Sequence, residues 1–333
     1  MSRKKVTIRD IARESGVSVA TVSRYLNKNS YTSPETEKKI QKVMERFQYT
    51  PNAIARGLAK QKSNTIAFVT PDITNPFFPE LVNSIEKVAK AKGYSLLLIN
   101  TNEQELQNLD FWNHFQSKYI DGFIMAESEL NEKARRYLDE MEIPFVRIDR
   151  AVHPEHSNSV HVDNFEGARL AVRHLLEIGC KKVAHISGPN SLYPAQERLM
   201  GYQNVISNTK MTSIVLEGDF TLESGTAQTE KLLQEHPDVD GIFYANDLMA
   251  IGALKAFRAH QKSVPEDIAI MGFDGIRLTE IVHPEISTIK QPIDKIGETA
   301  TNQLIHFIEN PDEVCGENVL LKVELVERES TRR

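Results

Sequence analysis

The chain has 333 residues, 40% hydrophobic and 26% charged, with a formal net charge of −6, which points to two or three cytoplasmic domains with ample apolar material for their cores. It has no run of 18 apolar residues, starts MSRKKVT without a secretory core, and carries two distant cysteines, Cys180 and Cys315, outside any CxxC. A membrane span, a signal peptide, a disulfide framework and a structural zinc site are therefore not expected. Charge is unevenly spread: residues 1–62 hold 14 Lys and Arg against 5 Asp and Glu, whereas the remainder holds 26 against 41. Any phosphate-binding surface is thereby confined to the first segment.

Residues 6–27, VTIRDIARESGVSVATVSRYLN, read as two short helices joined by a tight turn. Thr7 is placed to cap a helix with Ile8, Ile11 and Ala12 on one face. Gly16 stands where a helix end needs positive φ, and Val17 follows as a core plug. Ser18 caps the second helix, with Thr21 at its third position. Val22 and Leu26 face inward, while Val19, Ala20, Ser23 and Arg24 are exposed. Small residues at that end permit close approach to bases, arginine forks onto guanine, and hydroxyls hold phosphates. The pattern predicts a helix-turn-helix that enters DNA; an ordinary helical hairpin is the alternative. Ser33-Pro34 then opens a third helix with Ile40, Val43, Met44 and Phe47 at core spacing, ending near Tyr49. Residues 50–63 predict a short helix or linker, capped by Thr50 with Pro51 first. Its Gly57 costs about 1 kcal/mol relative to Ala, so it would be marginal alone. Leu58 is an exposed apolar residue in search of a partner.

From Thr65 the apolar runs IAFVT, SLLLIN, GFIMA, FVRID, KVAHIS, GIFYAN and IAIMGF alternate with helical stretches of 12 to 16 residues. That alternation predicts parallel, helix-covered α/β sheets, and its length suits two lobes with a cleft better than one sheet. The expected domains are 1–49, 50–63 and 64–333. The last would divide into about 64–160 with 291–318, and 161–290 with the C-terminal strand.

Ligands of open α/β sheets sit beyond the carboxyl ends of the strands. Those positions hold Asn75, Phe77 and Phe78, Asp149 and Arg150, Asp219 and Phe220, Asn246 and Asp247, Asp274 and Gln291, with Arg198 on a following helix. Amides, carboxylates and guanidinium groups bond adjacent hydroxyls, and aromatic faces stack on a sugar ring. The set fits a small polyhydroxylated ligand, although any one member could be a helix cap. Phosphate-loop, dinucleotide, nucleophile-elbow and HExxH motifs do not occur. His153 and His156 form an HxxH read as a solvated loop rather than a metal site, and Asp121-Gly122 reads as a turn into a strand.

With DIARESGVSVATVSRYLN, YTPNAIARGLA, NPFF, FYANDLMAIGALKA, IMGFDG and STIKQP on the page, the chain resembles the lactose-repressor family of bacterial transcription regulators over nearly its whole length. The resemblance implies an all-α three-helix headpiece with a hinge helix, followed by a two-lobed α/β domain like the periplasmic binding proteins. It implies a homodimer on a palindromic operator. Val19, Ala20 and Arg24 would take the base-reading positions, with Thr7, Ser18, Thr21, Ser23, Asn27 and Tyr31 completing the DNA-binding set. Asn52, Ala55 and a wedging Leu58 would lie in the minor groove. The body is similar to the ribose-binding type, whose residue types match at Asn75, Phe77, Phe78, Asp149, Arg150, Arg198, Phe220, Asn246, Asp274 and Gln291. A pentose such as ribose is the implied effector, and a purine or sugar-phosphate corepressor is the alternative. No cofactor, metal or membrane is implied. Asp294 and Asn302 replace the Tyr and Arg with which some relatives bind a phosphocarrier protein, and the C-terminal tetramerising heptads are missing; a dimer without that partner is expected. Two other readings compete. A transport component would need a signal peptide and no basic head. A sugar-acting enzyme would have to use Asp149 with Asp274.

Overall fold

The computed structural model describes residues 6–27, 31–49, 62–101, 103–116, 120–126, 130–148, 158–313 and 318–333. Two compact units meet at Ser63/Asn64. The first contains helices α1 (Ile8–Ser15), α2 (Val19–Asn27) and α3 (Pro34–Phe47). Thr7 and Asp10 cap α1 reciprocally: the Asp10 N–H donates to Thr7 Oγ1 at 3.4 Å and the Thr7 N–H to Asp10 Oδ2 at 3.0 Å. Gly16 ends α1 at φ +67° with nothing near its missing Cβ, so conformation rather than room requires glycine there. Ser18 Oγ accepts the Thr21 N–H at 3.1 Å, and Ser33 Oγ accepts that of Thr36 at 3.4 Å. Helices this short are marginal alone. They are held by Ile11, Ala12, Val22 and Ile40, all buried, with Val17, Leu26, Val43, Met44 and Phe47 packed around them.

The second unit carries two parallel sheets. In chain order its strands are β1 (Thr65–Thr70), β2 (Ser95–Asn100), β3 (Gly122–Ala126), β4 (Phe145–Ile148), β5 (Ser159–Val162), β6 (Val183–Ser187), β7 (Ile214–Glu217), β8 (Gly241–Tyr244), β9 (Ala269–Asp274), β10 (Ser287–Lys290), β11 (Asn318–Leu321) and β12 (Glu324–Val326). The first sheet runs β11-β5-β4-β3-β1-β2 and the second β12-β10-β9-β8-β6-β7. The two lobes thus repeat one doubly wound topology. Every pairing is parallel except β10 with β12. Along β1, Ile66 and Phe68 join one core cluster, and Ala67 and Val69 join the cluster on the other face. A sheet covered on both faces explains why its strands read as unbroken apolar runs.

Helices α4 (Phe77–Ala91), α5 (Glu103–Leu106), α6 (Leu109–Gln116) and α7 (Glu132–Glu140) belong to the first lobe; α8 (Asn164–Glu177), α9 (Tyr193–Ser207), α10 (Leu222–Glu235) and α11 (Asp247–Ala259) belong to the second. The last, α12 (Ile293–Glu309), returns to pack against α4 in the first lobe. The chain therefore passes between sheets three times, around Asp163, around Gln291-Pro292 and around Lys322-Val323. β5 continues to Val162 in the first sheet, so the first passage falls at Asp163. One expectation needs correcting. The stretch between β2 and β3 is not one long helix but α5 and α6. The Trp112 indole N–H donates to the Leu106 carbonyl at 2.8 Å, and Asn108 Oδ1 accepts the Asp110 N–H at 2.9 Å, which closes one helix and starts the next. No helix among the described residues is long and apolar enough to cross a membrane.

Candidate functional site

The second lobe gathers strand-end residues around one buried arginine. Arg198, on α9 and 3% exposed, lies with its guanidinium 3.7 Å from the Phe273 ring centroid. Its Nε donates to Asn164 Oδ1 at 2.9 Å and its Nη1 to the Ala245 carbonyl at 2.5 Å, while Asp274 Oδ1 sits 3.5 Å from Nη1. Gln291 Nε2 donates to the same Asp274 oxygen at 2.8 Å. Among the described residues no hydrogen bond is recorded for Arg198 Nη2, and Gln291 Oε1 is buried without a partner. Spare guanidinium donors and an orphaned acceptor flanking one carboxylate are what a hydroxylated ligand would satisfy, since leaving such a group unpaired costs about 1–3 kcal/mol.

Two more residues complete the cluster: Asn164, which the strand-end reading did not include, and Asp247, which it did. Asn164 braces Arg198. Asp247, wholly buried, accepts the Gly275 and Ile276 N–H groups at 2.7 and 2.9 Å and the Thr288 hydroxyl at 2.6 Å. It pins the turn in which Asp274 stands at φ +118°. Burial, and then the Asp274 charge, push the Asp247 carboxyl well above the ordinary carboxylate range. His185, stacked against Phe243 and Tyr202, is held neutral, its pKa pushed down to about 4 by burial.

The remaining predicted residues divide by place. Asn246 caps α11 through the Met249 N–H at 2.9 Å, and its Nδ2 donates to the Phe220 carbonyl at 2.9 Å. Phe220, at φ +69°, lays its ring over Gly188 so closely that a Cβ there would stand 2.2 Å from Cζ. Gly188→Ala is expected to cost about 1–3 kcal/mol in urea unfolding through overpacking, and Phe220→Ala in the same chain should relieve that cost. Asn75, Phe77 and Phe78 lie on the first lobe. Asn75 Oδ1 accepts the Phe77 N–H at 3.1 Å, and both rings, each 2% exposed and edge-to-face at 5.3 Å, belong to the core cluster around α4. No recorded bond joins these three to the Arg198 cluster. Asp219 accepts the Thr221 N–H at 2.9 Å in its own turn. Asp149, Arg150, His153 and His156 lie outside the described residues.

In the first unit, Val19, Ala20 and Arg24 form an exposed row on α2, and Tyr31 is 88% exposed; Arg24 and Tyr31 line one groove together with Glu37. Ser18 and Thr21 bond each other at 2.8 Å, Thr7 is engaged with Asp10, and Ser23 is half-buried. The Asn27 side chain and Asn52, Ala55 and Leu58 lie outside the described residues.

Comparison with known proteins agrees with this geometry. Residues 7–52 match the model of the bacterial regulatory proteins of the lacI family, and residues 172–331 that of a periplasmic binding protein-like domain. The chain is 41% identical to the ribose operon repressor of Halalkalibacterium halodurans over 91% of its own length and 90% of the relative's. A lac repressor dimer bound to operator superposes with a TM-score of 0.86 at 28% identity, covering 98% of this chain and 99% of that one. A lacI-family regulator from Enterococcus faecium with bound ribose superposes with a TM-score of 0.73 at 30% identity, over 80% and 98% of the two chains. A basic three-helix unit followed by two doubly wound lobes, matched in sequence and in space over nearly its full length, belongs to the lacI family of bacterial regulatory proteins.

Proposed function

We propose that the chain is a dimeric, cytoplasmic repressor of a pentose-utilisation operon that leaves its operator when a ribose-like sugar binds in the α/β unit. The observation that carries the sugar reading is that Arg198, with its Nη2 donors spare, and Gln291, with its Oε1 unpartnered, converge on the same Asp274 oxygen. Both would be satisfied by vicinal hydroxyls. The ribose operon repressor relatives and the ribose-bound neighbour favour the same sugar. DNA contact would come from the α2 row of Val19, Ala20 and Arg24 and from Thr7, Ser18, Thr21, Ser23, Asn27 and Tyr31. Asn52, Ala55 and Leu58 would act in the minor groove. Sugar contact would come from Arg198, Asp274, Gln291, Asn246 and Phe220 of the second lobe and Asn75, Phe77 and Phe78 of the first, with Asp149 and Arg150. The protein works by binding rather than turnover: Asp274, one of the two carboxylates an enzyme would need, is committed to Arg198 and Gln291.

The test uses the full chain and operator DNA selected by it from a random pool. Ribose at 100 times its Kd should add about 2.7 kcal/mol of stability and lower operator affinity. Stabilisation by a purine or a sugar phosphate instead, with tighter operator binding, would replace induction by corepression.

A further inference from the structure

Arg198 meets more than its ligand-facing neighbours. Its Nε is held by Asn164, which is 2% exposed and is the first residue past the passage of the chain from β5 to α8. The Asn164 side-chain amide in turn faces the Val162 carbonyl at 3.5 Å, at the very end of β5, and Glu197 precedes Arg198 on the same helix. Glu197 also accepts the Tyr193 hydroxyl at 3.0 Å. On its other side, Arg198 contacts Asp274, which Gln291 grips at 2.8 Å at the second passage, from β10 to α12. One polar chain, Val162–Asn164–Arg198–Asp274–Gln291, thus joins two of the three places where the lobes are connected, and the arginine is its middle member.

We infer that Asn164 is a positioning residue. It fixes the guanidinium so that Nη2 is presented to the ligand, and it ties the ligand-bearing arginine to the first passage between lobes. The inference rests on the sugar reading above. Arginine carries five N–H donors in one rigid plane, so anchoring Nε sets the direction of every other donor. Without the Asn164 oxygen the guanidinium keeps only its Nη1 contacts and its stack on Phe273, so it can tilt about that edge, and a buried charged donor loses its acceptor. A sugar that draws on Nη2 changes the forces on a group bonded toward both passages. Closure or opening of the lobes then follows from differential binding to the two arrangements.

The experiment measures ribose affinity for the full-length wild type, Asn164→Ala, Arg198→Lys and the double variant, and operator affinity with and without saturating ribose. Melting temperature is followed separately to exclude unfolding. Asn164→Ala is expected to weaken ribose binding about ten- to a hundredfold. Added to Arg198→Lys, which already lacks the Nε donor, it should weaken binding little further. It should also shrink the ribose-induced change in operator affinity even at saturation. Unchanged ribose affinity in a folded Asn164→Ala protein, or losses that multiply independently in the double variant, overturns the positioning role. Full operator release at saturation overturns the tie between ligand and passage. Absence of ribose binding by the wild type overturns the sugar reading and this inference with it.

Discussion

Arg198→Ala is expected to abolish measurable sugar binding and to lower the unfolding free energy of the α/β unit by about 3–5 kcal/mol. The arginine is 3% exposed and stands 3.5 Å from the carboxylate of Asp274, itself 5% exposed. Asp247, a second carboxylate, is fully buried behind the same turn. Removing the cation leaves two buried acids in one neighbourhood without their positive partner, and it also deprives the Ala245 carbonyl and Asn164 of a donor. Urea unfolding and ribose calorimetry read the two effects separately. Arg198→Met with Asp274→Asn should recover much of the lost stability, since the carboxylate that faced the guanidinium goes with it, while sugar binding stays lost. If Arg198→Ala unfolds at the same urea concentration as the wild type, Arg198 is not what compensates the buried acids.

Ile40→Ala should act on the other unit alone. The fully or almost fully buried residues of the headpiece core are Ile11, Ala12, Val22 and Ile40. Truncating the side chain that α3 contributes costs about 2–5 kcal/mol, and a unit this small has little to spare. The expected result is an unfolded headpiece by NMR and loss of specific DNA binding by fluorescence anisotropy. Ribose affinity should stay within about twofold, because the α/β unit has its own cores. Retained operator affinity would mean that α2 does not depend on this core for its presentation.

Features governed by residues three or four apart were legible in the chain itself. Thr7, Gly16, Ser18 with Thr21, and Ser33-Pro34 behave as their local chemistry predicts, because a cap needs only its own next turn. The long buried runs declared the parallel sheets for a similar reason, since strands covered on both faces admit no alternating polar residue. The four-residue strand β5, SVHV, was hard to see. His161 breaks its apolar run, and its place is set by pairing with β4 and with β11, more than 150 residues later. The split between α5 and α6 likewise depends on the Trp112 indole reaching back to Leu106.

Around Arg198, the strand-end rule selected Asn246, Asp247, Asp274 and Gln291, because position relative to a strand's carboxyl end is a one-dimensional property. It could not rank them or separate ligand groups from their supports. Asn164 opens α8 and reads as an ordinary helix-start residue, whereas Asp247, which opens α11, stands in the strand-end set without a distinct role. Their roles are conferred by Arg198 and by the Gly275-Ile276 turn, which lie 34 and 28–29 residues away. Phe77 and Phe78 look like stacking platforms in the sequence, and only the structure shows that both rings also belong to the core cluster around α4. What the sequence by itself determined was the alternation of strands and helices, the headpiece caps and the division into a basic head and an acidic body, since each depends on neighbours in the chain or on composition. Only the tertiary structure decided which polar side chains meet. Burial removes water as a partner, and each group must then be matched by whatever the folded chain brings within hydrogen-bonding distance.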